Sequence, residues 1–251
     1  MPATPRATRR AARAGPPRDA ASLRAALVAA RAPGSPAEVT ERARAGLLAW
    51  LDASTAQPFE TLVRALATGA VATQIGRAML AQTPEPPGLA CAAGCAFCCI
   101  LPGADGATIT GAEARALHAA LAPQSGPGGT DWHPEACPAL DPDTRMCRAY
   151  DARPMICRSY VSRDAAACAA IAEGRPMPGP ATHPAQITYL TAHALARAAL
   201  AGVAPTPTYA LKTVAARAGA SLAEALKTAR HAPKSLDAER RRLVRGMGPA
   251  R

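Results

Sequence analysis

CAAGCAFCC, residues 91–99, packs Cys91, Cys95, Cys98 and Cys99 into nine positions of a 251-residue chain that holds eight cysteines in all. The other four, Cys137, Cys147, Cys157 and Cys168, follow at intervals of ten, ten and eleven residues within CPALDPDTRMCRAYDARPMICRSYVSRDAAAC. Both flanks are free of cysteine, so the thiols share one structural cause. A chain of this length can bury a hydrophobic core without disulfide staples. In a reducing cytosol, clustered thiols serve metal rather than disulfides.

The chemistry of that segment favours thiolate ligation. A soft metal takes three or four deprotonated sulfurs at about 2.3 Å, and CAFC can supply two from one turn while distant cysteines close the site. Cys98 and Cys99 are neighbours, and adjacent side chains usually diverge. Either they serve two metal centres, or one is a ligand and the other a packing or redox thiol. Eight thiolates fill two all-thiolate zinc sites, or four hold an iron–sulfur cluster and leave four for other work.

Arginines recur beside these cysteines: Arg145, Arg148, Arg153, Arg158 and Arg163. Four thiolates around a zinc ion or an iron–sulfur core leave a net charge of about −2, which in a low-dielectric pocket needs cations or N–H donors nearby. Arg153 and Arg158, flanking Pro154 and Cys157, are the candidates for that supporting role. Arg145 and Arg163 read as a solvated face paired with nearby aspartates. Pro154 biases Arg153 away from the helical region and ends one turn while starting the next. Asp141 and Asp143 read as turn formers. His133 is the one histidine considered as a substitute ligand; His118, His183, His193 and His231 read as surface or core residues.

Outside the segment the periodicity is helical. Glu38–Ala53 and Pro58–Gln82 predict two amphipathic helices. Thr110 with Glu113 three residues on predicts a capping box opening a third. Further helices are expected over Asp164–Glu173, Pro184–Ala201 and SLAEALKTARH, and period-two strand segments are absent. The fold class expected is mainly α, with a central loop-rich cysteine region. The organisation expected is a disordered basic arm over 1–37, a helical segment over 38–85, the cysteine domain over 86–175, a helical segment packing on it over 176–233, and a basic tail over 234–251.

The net charge of +11 resides at the ends: seven arginines against Asp19 alone in residues 1–37, and six basic residues against two acids in 234–251. The body is nearly neutral, and no basic stretch interleaves with aromatics, which make up only 3% of residues. Dedicated nucleic-acid binding is therefore not expected. The Ala and Arg richness fits a GC-biased bacterial coding sequence. Charges or prolines interrupt every apolar run before membrane-spanning length. Arg9 and Arg10 precede an apolar stretch broken by Arg24, so no export signal is expected and a cytoplasmic location is.

The doubled cysteines, the Cys-Pro-x-Leu element at 137–140 and the Tyr-x-x-Arg-Pro-x-x-Cys-Arg element at 150–158 occur in order, and together resemble the YkgJ-type cysteine-cluster family, described as a zinc- or iron-chelating domain. The resemblance runs from about Cys91 to Cys168. It implies that all eight cysteines are metal-ligand candidates and that the partner is a metal ion, zinc or iron, including an iron–sulfur cluster. Ala139 departs from the pattern by standing where a bulky aromatic is common. Related domains also look similar to part of the flagellin lysine N-methylases, which implies a redox or methyl-transfer alternative, although no glycine-rich SAM loop is present. A third reading is a structural or interaction module in which metal replaces core. No GxSxG, Walker A or HExxH motif occurs, so no familiar hydrolase, nucleotide or zincin mechanism is assigned.

Overall fold

The computed structural model describes residues 15–124, 126, 128–178, 181–232 and 235–246. It is mainly helical, as the sequence predicts. The α-helices are α1 Ala20–Ala29, α2 Ala37–Ala53, α3 Phe59–Ala67, α4 Ala70–Gln82, α5 Gly111–Leu121, α6 Met155–Arg158, α7 Ala165–Ala172, α8 Pro184–Ala199, α9 Leu211–Ala216, α10 Leu222–Ala229 and α11 Ser235–Gly246. Five short strands accompany them: β1 Thr108–Thr110, β2 Tyr160–Val161, β3 Ala181–Thr182, β4 Thr208–Ala210 and β5 Arg230–His231. None exceeds three residues, too few for an alternating pattern to register in sequence. Among the described residues no helix is long and apolar enough to cross a membrane.

The chain forms two units, each built from separate stretches. The first comprises the described residues of 1–76, 187–207 and 233–251, the second those of 77–186 and 208–232.

In the first unit, α2 presents Val39, Ala43, Leu47 and Leu51 as one buried stripe at four-residue spacing. Arg44 on the same helix turns inward, and its Nη1 donates to the carbonyls of Leu27, Val28 and Ala30, satisfying the C-terminus of α1. The single helix expected over Pro58–Gln82 is instead two. Gly69, at φ 76, takes the left-handed conformation that ends α3 before α4 begins.

The ends also depart from expectation where they are described. Asp19 caps α1 through a reciprocal bond pair with Ser22, and Leu23 and Leu27 are fully buried. At the other end α11 is helical, and Arg240, 1% exposed, donates to Ser35 Oγ at 2.6 Å and to the Pro33 carbonyl at 2.9 Å. An arginine that looks solvated in sequence is here an internal clasp, because Ser35 and backbone carbonyls take its Nη donors and Asp237 lies 3.5 Å from its Nε. The rest of the expected arm and tail, residues 1–14, 234 and 247–251, lies outside the described residues.

In the second unit, β4 lies between β1 and β5, both antiparallel to it, with Ile109 opposite Tyr209. Ile109, Leu117, Leu121, Leu211 and Val214 gather on this small sheet into a core that also includes Cys137. The predicted capping box opens α5: Thr110 Oγ1 accepts from the Glu113 backbone, and Glu113 Oε2 accepts from the Thr110 backbone at 2.9 Å. Asp164 caps α7, and a second capping box, Ser221 with Glu224, opens α10.

Candidate metal centre

The cysteine segment is held by backbone pairing between its loops. The Ala90 N–H donates to the Ser162 carbonyl at 2.9 Å, and the Ser162 N–H reaches the Cys91 sulfur at 3.4 Å, so the first thiol is pinned beside β2. Gly94, at φ 77, supplies the left-handed residue of the following turn. Phe97–Cys99 then forms one 3₁₀ turn. The Cys137 N–H donates to the Cys99 carbonyl at 2.8 Å and the Leu101 N–H to the Glu135 carbonyl at 2.9 Å, laying the CPAL element against the doubled cysteines.

Cys147 is brought to the same place by a hairpin. Leu140 bridges Cys147, with Asp141 N–H to the Met146 carbonyl and Arg148 N–H to the Ala139 carbonyl, both at 2.9 Å. Its tip closes as the sequence predicts: Asp141 Oδ1 accepts from the Thr144 N–H and hydroxyl, each at 2.7 Å. Gly129 packs so closely that a Cβ there would stand 2.3 Å from the Cys137 carbonyl oxygen, so only glycine fits. Ala139 is 2% exposed and part of the core.

Cys157 arrives on α6. Pro154 precedes that helix, following the 3₁₀ turn Tyr150–Ala152, as its sequence position predicts. The Met155 N–H donates to Glu113 Oε1 at 2.7 Å, which locks the start of α6 to the start of α5. Glu113 is 3% exposed and serves both helices, a role that the capping-box signature alone does not reveal.

Two groups of thiols result. Cys98, Cys99, Cys137 and Cys147 each interact electrostatically with Cys157, and Cys99, Cys137, Cys147 and Cys157 pack with the core of the unit. Cys91 and Cys168 act, with Cys98, on Tyr160, whose hydroxyl is raised in pKa by burial and then by those three sulfurs. Cys168 sits on α7, which packs against the 3₁₀ turn. Cys95, half-buried, lies in the turn between.

The electrostatics distinguish the members. The neighbouring Cys99 thiol lowers the exposed Cys98 to about 7, while Cys98, burial and the other sulfurs push Cys99 well up. Burial raises Cys137 to about 11, and it likewise raises Cys147 and, most strongly, Cys157.

Three cations offset the sulfur charge. Arg153, stacked 3.7 Å from the Tyr150 ring centroid, acts on Cys98 and Cys147. Arg148, whose Nη2 donates to the Pro138 carbonyl at 2.7 Å, acts on Cys137 and Cys147. Lys212 also acts on Cys137, while its Nζ holds the Leu101 carbonyl at 2.9 Å and Glu135 at 3.0 Å. Arg158 is differently engaged, donating from Nε to the Arg153 carbonyl at 2.8 Å and from Nη2 to the Asp151 carbonyl. Arg145 is exposed at φ 54, and Arg163 is exposed. Arg148 is visible beside Cys147 in sequence, whereas nothing local marks Lys212, 44 residues beyond the last cysteine.

The histidines are otherwise occupied. His133 Nδ1 accepts from the Glu135 N–H at 3.1 Å, and His183 Nδ1 accepts from the Ala185 N–H at 3.0 Å at the start of α8. His118 Nε2 meets the Ala220 carbonyl at 3.0 Å, and His231 Nε2 meets Asp105 at 3.0 Å. His193 is buried in the first unit.

Among the described residues no three Cys, His, Asp or Glu side chains stand arranged to hold a metal ion. The donor chemistry is what fits: Cys98, Cys137 and Cys147 act electrostatically on Cys157, cations stand nearby, and all eight cysteines are free thiols. Residues 90–173 match the family model CxxCxxCC, described as "Putative zinc- or iron-chelating domain", in agreement with the resemblance carried by the motifs. The matched segment holds all eight cysteines. Comparison with curated proteins and with solved structures gives no match.

Proposed function

We propose that this is a metal-binding protein in which Cys99, Cys137, Cys147 and Cys157 hold zinc or an iron centre in a reducing cytoplasm, with Cys98 at the rim. The observation that carries the reading is that these four sulfurs, from three separate loops and α6, pack with one core cluster beside Arg148, Arg153 and Lys212. Buried thiols hold their protons tightly, and a bound cation is what makes four neighbouring thiolates favourable there. Zinc in such a site stabilises the fold, and an iron–sulfur centre adds electron transfer.

A second centre is favoured by the grouping of Cys91, Cys168 and Cys98 around Tyr160, with Cys95 in the adjoining turn. On that reading the doubled cysteines divide between two sites.

Iron, zinc and labile sulfide counted on anaerobically purified protein test both readings. One centre per chain, a single zinc or one cluster's complement of iron with matching sulfide, supports the single inner site, and two centres support the divided arrangement. Absorbance near roughly 400 nm marks an iron–sulfur centre, and its absence with bound zinc marks a structural ion. Protein without stoichiometric metal overturns the proposal.

A further inference from the structure

The buried Arg240 fixes which side of α11 faces outward. Arg241 and Arg245, one helical turn apart on the same face, are both exposed. The turn that Arg240 grips, Ala32 to Ser35, is closed by the Ser35 N–H donating to the Ala32 carbonyl at 3.1 Å. Arg241 lies against that turn, its Cγ 3.9 Å from where a Gly34 Cβ would stand. Arg31, also exposed, leads into it. Three arginines are thus set around one clasp, all within the first unit.

Their charges are left over. Among the described residues none of the three has a carboxylate within the 4.0 Å that defines an ion pair. Arg31 donates from Nη1 to the Ala29 and Ala30 carbonyls, which orders its fork without neutralising it. The acids of α11 and of the start of α2 are engaged: Asp237 with Arg197 and Arg240, Glu239 with Arg242, and Glu41 with Arg44. Glu38 lies in the first turn of α2, where the helix N-terminus takes its charge.

Cations strung along a helix edge, rather than converging on one point, suit a polyanion with repeating charges, and duplex DNA carries one per about 1.7 Å of its axis. A lipid surface suits them less, because Leu236 is buried and Leu243 and Val244 are half-buried, leaving α11 no free apolar stripe to insert. The lack of aromatics among the basic residues excludes base stacking, whereas contacts to backbone phosphates need none and carry no sequence information.

We propose that Arg31, Arg241 and Arg245 form a face that binds the phosphate backbone of nucleic acid without reading its sequence. The face is independent of which metal the thiols hold.

The test titrates the full chain as purified against a fluorescein-labelled DNA duplex and, separately, a single-stranded RNA, each of about 20 nucleotides, from about 50 to 200 mM salt. Salt-sensitive binding of at least one is expected, and the two arms tell DNA from RNA. Each phosphate contact on a duplex adds about 0.9 to the salt slope, so Arg241→Gln combined with Arg245→Gln should lower it by about two and weaken binding on the order of tenfold. Arg163→Gln combined with Arg217→Gln removes the same charge from exposed positions of the second unit and should change both far less. The arginines before residue 15 are present in every sample, so the difference between the two variants reads this face. Circular dichroism should match the parent in both, because the Arg240 clasp is intact. No binding to either probe overturns the proposal, as does an unchanged slope in the α11 variant or an equal fall in the two variants. Cosedimentation with phosphatidylserine vesicles in place of nucleic-acid binding also overturns it.

Discussion

The Cys99 thiol beside it lowers the exposed Cys98 to about 7, while burial and the neighbouring sulfurs push the inner Cys99 up. Cys99 packs with the core and its carbonyl holds the Cys137 N–H, whereas Cys98 faces solvent between the two thiol groups. For the single inner site, Cys99→Ser should therefore remove most of the bound metal, by loss of a soft-metal bond, and Cys98→Ser should retain most of it. Elemental analysis of the two purified variants checks this, and equal, complete loss from both would instead favour two centres. At this scale the sequence was highly informative about which residues matter, because eight thiols within 91–168 are visible without any structure. It could not rank Cys98 against Cys99, since the ranking depends on a core built from Ile109, Tyr209 and Val214, far away in the chain.

Glu113 shows how two elements are joined at one carboxylate. Its Oε2 accepts from the Thr110 backbone and hydroxyl, and its Oε1 accepts from the Met155 N–H that opens α6. Glu113→Ala leaves buried donors without acceptors and should cost about 2–4 kcal/mol, while Glu113→Gln, which keeps an acceptor oxygen, should cost less. Denaturant unfolding checks the order, and metal content should fall with Glu113→Ala because Cys157 rides on α6. Equal stability of the Ala variant and the parent would contradict it. The capping box was legible because it is local, three residues wide, whereas the bond to Met155 spans 42 positions. Gly69 shows the converse, a break hidden inside a continuous apolar pattern because one left-handed residue leaves the periodicity on either side intact.

His193, on α8, supplies a pH test of the first unit. Burial, aided by the Arg197 charge and opposed by Asp237, lowers its pKa from its ordinary value of 6.5 to about 4. Between those values the unfolded chain binds a proton that the folded chain does not. Stability from this group is therefore fully present above 6.5 and lost as pH falls toward 4. Going from neutral pH to about pH 5 should cost about 2 kcal/mol in the parent, and His193→Leu should flatten that difference. Urea unfolding of both at the two pH values reads it, and identical slopes would contradict the assignment.

At the scale of the whole molecule, the cysteines all belong to the second unit, while Leu23, Leu27, Leu47 and Arg240 are buried in the first without any thiol among them. The units interleave in sequence, so a reading that moves along the chain could not separate them: α11 and the loop between α1 and α2 share the Arg240 clasp across 205 positions. The composition at both ends suggested solvated arms, and Arg240 looked like its neighbours until its partners were placed. Because structural thiolate sites contribute on the order of 10 kcal/mol of binding energy, chelation should raise hydrogen exchange throughout 90–173 and leave α1 and α2 protected. Equal protection of 90–173 with and without metal would show that the thiols are not its support.

X-ray absorption at the metal edge of anaerobically purified full chain tests the central claim most directly, because it counts the atoms bound to the ion. The account predicts a shell of about four sulfurs near 2.3 Å, degraded in Cys99→Ser and Cys157→Ser. A shell of nitrogen and oxygen alone, or a protein without zinc or iron whose cysteines map as disulfides, would contradict it.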